Sequence, residues 1–265
     1  MQRIRCQSLI KKKEDGVPIT MLTAYDVMTA EILSDTGVDI ILVGDSLGNV
    51  FCGYDTTLPV TLDNMIYHTQ AVVRGNQSCF IVSDMPFLSY QVSIEQAKEN
   101  AGRLIKEGGA HGVKLEVGTQ QLETVKAILG MGVPVMAHLG FTPQSVHQLG
   151  GYRIQGRNQD QVDQLIALAI ALDKMGCFSV LLEMVPGDVA KQITHTINVP
   201  TIGIGAGLDC NGQVLVTQDL WGMSKQTPRF VKHYAKLRET MTSSVSDYIQ
   251  EVTSRQFPDP DHCYE

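Results

Sequence analysis

Four apolar runs in this chain each end on an acidic residue. Ile40–Val43 with Gly44 leads into Asp45, Phe80–Ser83 into Asp84, Gly112–Leu115 into Glu116, and Ser179–Leu182 into Glu183. A fifth, Val135–Ala137, ends on His138. Short continuous runs rich in Val, Ile and Leu are typical of strands buried on both faces, as parallel sheets require. Parallel strands gather their C-terminal ends at one face of the sheet. Four carboxylates and an imidazole would then converge on one small volume, and that much like charge is costly unless a cation sits among them. The pattern restricts the chain to a parallel α/β fold and points to a metal site that does chemistry.

Strand and helix signals alternate from Val17 onward. Strands are expected at Ile19–Thr23, Ile40–Val43, Phe80–Ser83, Gly112–Leu115, Val135–Ala137, Val180–Leu182, Pro200–Ile204 and, more weakly, Gln213–Val216. Between them, Asp26 and Thr61 read as N-caps, and Ser93 with Gln96 fits a capping box. Asp160–Met175 carries Val162, Leu165, Ile166, Ala169 and Leu172 on one stripe. A last helix is expected to begin near Pro228, with Phe230, Tyr234, Leu237, Met241, Val245 and Tyr248 three or four apart. Eight strand–helix units at this length match a (β/α)8 TIM barrel, typically ~250 residues. The alternative is an open doubly wound sheet, but that would place its site at one switch point rather than at the ends of strands two, three, four and six. No linker-like break divides the chain, so residues 1–265 are expected to form a single barrel domain. A short capping segment at about residues 1–16 would close the barrel bottom, and a C-terminal helix and tail would follow.

The chain has 265 residues, 43% hydrophobic and 18% charged, enough for a large core and too weakly charged for disorder. Its 21 Lys and Arg against 28 Asp and Glu give −7. Nucleic acid and anionic membrane are therefore poor partners. The one basic run, Lys11–Lys13, reads as a solvated loop. Six scattered cysteines without a C-x-x-C pair suggest a reducing compartment, with Cys79 and Cys177 as small core residues. The N-terminus lacks the apolar stretch of a signal peptide, and no run is long enough to span a bilayer, so a cytoplasmic protein is expected.

A carboxylate after a strand is often only a cap for the next helix. Asp26 and Asp188 fit that reading. Asp45 fits it poorly, because Ser46, Leu47 and Gly48 open a long connection with no helix starting there. Asp84 fits it poorly too, because Met85-Pro86-Phe87 follows and the helix opens only near Ser93. Lys114 and Glu116 lie two apart in one strand and so point to the same side, into the barrel. A buried lysine is expensive unless paired or functional; a structural Lys114–Glu116 ion pair is the bland alternative. His138 would sit beneath the aperiodic, glycine-rich stretch 139–158, whose length suits a functional lid. His147 and Arg157 lie in that stretch without a clear role. Gly203-Ile204-Gly205-Ala206-Gly207 is either a tight turn or a close approach to an anionic ligand. Trp221 reads as packing.

Asp45, Asp84 and Glu116 are hard oxygen donors that suit Mg²⁺, and no Cys/His set has zinc spacing. Three carboxylates, a divalent ion and Lys114 sum to neutrality, leaving Glu183 as a charged base. A 2-oxo acid could chelate the metal, whose Lewis acidity would stabilise an enolate once Glu183 removes the adjacent proton.

Several segments together resemble the ketopantoate (3-methyl-2-oxobutanoate) hydroxymethyltransferases. They are Val43-Gly44-Asp45-Ser46-Leu47-Gly48, Thr57-Leu58-Pro59-Val60-Thr61, Asp84-Met85-Pro86-Phe87, Val113-Lys114-Leu115-Glu116, His138-Leu139-Gly140 with Thr142-Pro143-Gln144-Ser145, Gly150-Gly151-Tyr152, Leu182-Glu183 and Ile202–Gly207. The resemblance runs in order from about residue 3 to residue 255. It implies a barrel of the phosphoenolpyruvate/pyruvate type and Mg²⁺. It also implies transfer of a one-carbon unit from 5,10-methylenetetrahydrofolate to 2-oxoisovalerate, giving 2-dehydropantoate. By match, Asp45 and Asp84 bind metal and substrate, Ser46 and Lys114 bind substrate, Glu116 completes the metal site and Glu183 accepts the proton. His138 is a possible supporting residue, and a homodecamer is implied. The chain departs from the family pattern at Val117, where many relatives carry glycine.

Three rivals remain at this point. A Schiff-base aldolase would use Lys114 as nucleophile and need no metal. A metal-dependent 2-oxo acid lyase on the same barrel would share the enolate chemistry but not the folate. A non-catalytic ligand-binding barrel would have little use for a metal cluster and a spare base.

Overall fold

The computed structural model describes residues 3–264. Eight parallel strands close on themselves in the order β1 to β8: Ile19–Thr23, Ile40–Val43, Phe80–Asp84, Gly112–Glu116, Val135–Gly140, Ser179–Glu183, Thr201–Ile204 and Gly212–Leu215. β8 pairs back onto β1, with Ile19 opposite Gly212, so the barrel leaves no sheet edge. The open doubly wound alternative is thereby excluded. Helices cover the outside: α1 Cys6–Glu14, α2 Val27–Asp35, α3 Leu47–Val50, α4 Leu62–Gly75, α5 Ile94–Lys106, α6 Leu122–Leu129, α7 Val146–Leu149, α8 Gln159–Met175 and α9 Gly187–Thr196.

Alternation along the strands divides the apolar residues into two clusters. One lies between sheet and helices and includes Ile41, Val43, Ile81, Val113, Leu115, Val135, Ala137, Val180 and Leu182. The other fills the lower barrel interior with Ile19, Met21, Ile40, Leu42, Phe80, Val82, Met136, Leu181, Ile202 and Val214. Leu9 of α1 is fully buried in that second cluster and closes it from below. The interior is therefore a packed apolar floor rather than a pore. Two residues further along the same strands stand Asp84, His138 and Glu183. Strand period alone carries the interior from Val82 to Asp84, from Met136 to His138 and from Leu181 to Glu183.

The caps follow the side chains that can make them. Asp26 accepts from Thr29 N at 2.8 Å, and Thr61 and Asn64 form a reciprocal capping box. Ser93 accepts from Gln96 N, but the return bond from Gln96 is not made. Asp188 is not a cap: Pro186 occupies that position, and Asp188 stands in the first turn of α9, where its charge faces the positive end of the helix. The lysine triplet is not a solvated loop. It lies in α1, where Lys12 pairs with Asp39 at 2.5 Å. Lys13 Nζ donates to the carbonyls of Thr194, Ile197 and Val199, which the end of α9 would otherwise leave short of donors.

The chain divides after Val216 into two compact units. The second holds α10 Thr217–Leu220 and α11 Leu237–Thr253. The last helix thus begins at Leu237, not near Pro228. Tyr234 N donates to Leu220 O and Leu237 N to Trp221 O, so this stretch of backbone is committed to the preceding turn rather than to a helix. No helix among the described residues is long and apolar enough to cross a membrane. All six cysteines are free, with Cys79 and Cys177 buried.

Candidate active site

The acidic strand ends meet at the C-terminal mouth of the barrel. Asp45 follows β2, and its backbone N–H donates to Asp84 Oδ2 at 2.9 Å. That approach needs a bare backbone at Gly44, where an added Cβ would lie 2.8 Å from Ser46 Oγ and 3.4 Å from Asp84 Oδ2. Contrary to the sequence reading, one helical turn, α3, does begin after Ser46, but no side chain caps it. The Asp45 carboxylate instead accepts from Gln144 Nε2 at 2.9 Å. Ser46 Oγ lies 2.9 Å from the hydroxyl of Tyr25, which is itself buried.

Lys114 and Asp84 are opposite one another in the β3–β4 register. Their ion pair measures 2.8 Å, with both side chains nearly closed to solvent. The lysine therefore pairs across strands, and the Lys114–Glu116 pair considered from sequence is not what forms. Burial alone would push the Lys114 ammonium down, but Asp84 and Asp45 outweigh it and hold the group above the usual lysine value. Glu116 turns elsewhere: its Oε1 accepts the backbone N–H of Gln144 at 2.9 Å. Val117 continues the strand pairing, its N–H donating to His138 O at 3.0 Å.

His138 is paired in register with Glu116, and Gly140 with Glu183. Nε2 of His138 lies 3.2 Å from Glu183 Oε2, and Glu183 keeps 18% of its side chain open. Burial, then the Lys114 charge, lowers the His138 pKa, so the ring is held neutral. Gly140 makes the approach of these strands possible: at φ +95° a Cβ there would stand 2.3 Å from the Glu183 carbonyl oxygen. Beyond it, residues 143–149 form a short 3-10 turn and α7, and irregular backbone runs on to Asn158. The glycine-rich stretch after β7 leaves the strand in a bend at residues 205–206. Gly207 at φ +82° packs so closely on Gly187 that a Cβ would sit 2.9 Å from its Cα.

Gln144, Tyr90 and Tyr25 join this site without having been singled out as site residues. Gln144 is a neutral amide in an aperiodic stretch, and Tyr90 lies in the 85–93 connection; neither has a spacing or charge signature. Only the position of Gln144 inside the Thr142–Ser145 motif hinted at it. A cleft of about 720 Å³ opens beside these residues, bordered by Phe87, Glu116, Gly118, Gly140, Gln144 and His147.

The charges test whether a divalent ion suits the site. Burial, then repulsion from Asp84, raises the Asp45 pKa, and burial, then Asp45, raises that of Glu116 well above the carboxylate range. One lysine does not balance them. A divalent cation is the group that relieves both effects, so the donor set fits Mg²⁺. Among the described residues no three carboxylate, imidazole or thiol side chains form a ready-made cage. Mg²⁺ needs none, because it binds through one or two carboxylates and keeps several waters.

The sequence profile of the ketopantoate hydroxymethyltransferases matches residues 3–260. The chain belongs to the ketopantoate hydroxymethyltransferase family. It is 52% identical over 257 residues to the 3-methyl-2-oxobutanoate hydroxymethyltransferase of Geotalea uraniireducens, covering 97% of this chain and 96% of the relative. It is 51% identical over 264 residues to that of Thermoanaerobacter sp. strain X514, covering 99% and 96%. In fold it is similar to phosphonopyruvate hydrolase solved with oxalate and Mg²⁺, with a TM-score of 0.62 at 9% identity and coverage of 98% and 93%. It is also similar to 2,3-dimethylmalate lyase, a member of the PEP mutase/isocitrate lyase superfamily, with a TM-score of 0.60 at 11% identity and coverage of 98% and 88%. For this ketopantoate hydroxymethyltransferase family member, those two likenesses concern the barrel alone.

Proposed function

We propose that this chain transfers a hydroxymethyl group from 5,10-methylenetetrahydrofolate to 3-methyl-2-oxobutanoate, giving 2-dehydropantoate and tetrahydrofolate in pantothenate biosynthesis. Near-full-length identity of about half to enzymes of that name supports the activity. The observation that carries the mechanism is Glu183 Oε2, 3.2 Å from His138 Nε2 at the mouth of the barrel, beside the Asp45, Asp84 and Glu116 carboxylates.

Asp45 and Asp84 would hold Mg²⁺ and Glu116 would complete its surroundings. When bound, the ion supplies Lewis-acid stabilisation of the charge that develops on the substrate's keto oxygen. Lys114 keeps its proton and offers a cation to the substrate carboxylate while neutralising Asp84. Ser46, steadied by Tyr25, offers a hydroxyl to the same anion. His138, its Nε2 3.2 Å from Glu183 Oε2, packs against that carboxylate and helps to place it. Glu183 then removes the proton from the carbon next to the keto group. The apolar floor of Val82, Met136 and Leu181 keeps water from below, which strengthens every electrostatic interaction above it. The cleft beside Glu116 and Gly140 leaves room for the folate donor. A homodecamer and a cytoplasmic setting, implied by the family resemblance, belong to the same proposal; sedimentation of the full chain tests the first.

The test is an assay of tetrahydrofolate-dependent incorporation of formaldehyde carbon into 3-methyl-2-oxobutanoate, with and without EDTA. The proposal expects 2-dehydropantoate only with both folate and free divalent ion. Product formed in EDTA, with borohydride trapping substrate on Lys114, would make the chain a Schiff-base aldolase instead.

A further inference from the structure

Gln144 uses its backbone and its side chain on two different carboxylates. Its N–H donates to Glu116 Oε1 at 2.9 Å, and its Nε2 donates to Asp45 Oδ2 at 2.9 Å and to Met85 O at 3.0 Å. The amide cannot be turned around. Its Oε1 accepts from Tyr90 Oη at 2.8 Å and from Gln91 Nε2 at 3.2 Å, and a flip would set that oxygen against a carboxylate and a carbonyl. Tyr90 is fixed in turn, because its hydroxyl accepts the backbone N–H of Glu116 at 3.2 Å. Residues from the ends of β2, β3, β4 and β5 are thus joined by the backbone and side chain of one residue that is 8% exposed. In each carboxylate one oxygen is occupied by Gln144, and the other stays outside these bonds.

We infer that Gln144 is a positioning residue that couples the end of β5 and the connection after it, residues 140–158, to divalent-ion binding by aiming the second oxygens of Asp45 and Glu116 at the ion. This rests on the Mg²⁺ reading above. Carboxylates that ligate metals are themselves held by outer hydrogen bonds, and loss of such a partner typically weakens metal affinity by ~10–100-fold. The coupling is reciprocal: an ion that prefers the aimed carboxylates also prefers the docked loop.

The experiment titrates Mg²⁺ alone into the full chain by calorimetry, without substrate, for wild type, Gln144→Leu and Tyr90→Phe. It also follows hydrogen exchange of residues 140–158 with and without Mg²⁺. Gln144→Leu is expected to bind Mg²⁺ ~10–100-fold more weakly and Tyr90→Phe to a lesser degree. Mg²⁺ is expected to protect residues 140–158 in wild type and not in Gln144→Leu. A glutamine that only knits the loop would change stability and leave Mg²⁺ affinity alone. Affinities within about threefold of wild type, with protection unchanged, would overturn the inference. Should Gln144→Leu not fold, Tyr90→Phe decides by the same measures. Wild type that binds no Mg²⁺ would overturn the metal reading and this inference together; wild type that binds Mg²⁺, with Gln144→Leu binding it equally well, overturns the inference alone.

Discussion

Lys114 Nζ sits 2.8 Å from Asp84 Oδ1, directly across the β3–β4 register and closed to solvent. The pair neutralises one of three carboxylates crowded above an apolar floor. Removing one partner of a buried pair leaves an uncompensated charge, at a cost of roughly 3–5 kcal/mol. Lys114→Met is therefore expected to lose about 3 kcal/mol in denaturant unfolding with EDTA present, and less with Mg²⁺, which replaces part of the missing positive charge. A variant as stable as wild type in EDTA would refute the view that Asp84 depends on this ammonium.

His138 is assigned its part through Glu183, 3.2 Å away. If it only orients that carboxylate, the two residues act as a unit and their effects do not add. His138→Ala is expected to lower kcat by about 10–100-fold, in the range of lost orienting groups. In the Glu183→Gln background the same change is expected to cost almost nothing further. Fully additive losses would show that His138 acts independently of Glu183.

Gly140 at φ +95° lets β5 pass the Glu183 carbonyl, where a Cβ would sit at 2.3 Å. Gly140→Ala combines a left-handed backbone cost of ~1–2 kcal/mol with a clash against main chain. At least about 2 kcal/mol of lost stability is expected, together with a fall in kcat because Glu183 is the residue displaced. Unchanged stability and activity would contradict the packing described here.

Much of this was legible in the chain, and the exceptions have physical causes. Val, Ile and Leu runs ending in Asp45, Asp84, Glu116 and Glu183 mark buried parallel strands, and eight strand–helix units lead to the closed barrel. The partner of Lys114 was not legible, because Asp84 becomes its neighbour only through strand register, 30 positions away in sequence. Gln144 was hidden as an uncharged side chain in an aperiodic connection. Phe230 and Tyr234 have helical spacing, yet the N–H groups of Tyr234 and Leu237 go to Leu220 and Trp221, so α11 starts later than the spacing predicts. The lysine triplet looked solvated because its partners, Asp39 and the end of α9, lie far along the chain.

A pH effect is expected at His111, at the opposite end of β4. Its Nδ1 accepts the Ile81 N–H at 2.9 Å, which only an unprotonated nitrogen can do. Burial, then the Arg3 charge, pushes its pKa down to about 4. The folded value lies below the unfolded one, so the unfolded chain binds the extra proton between them. Stability from this group is complete above about 6.5 and declines as pH falls toward 4. NMR titration is expected to find His111 neutral down to that range, and His111→Gln to flatten this part of the stability profile. A His111 midpoint near 6.5 would contradict the arrangement.

The most direct measurement follows the C3 proton of 3-methyl-2-oxobutanoate exchanging into D₂O by NMR, without folate. Wild type with Mg²⁺ is expected to exchange it, while EDTA or Glu183→Gln is expected to slow the exchange by at least about 10²-fold. Exchange that continues at the wild-type rate in Glu183→Gln, or with the divalent ion stripped away, would contradict the account.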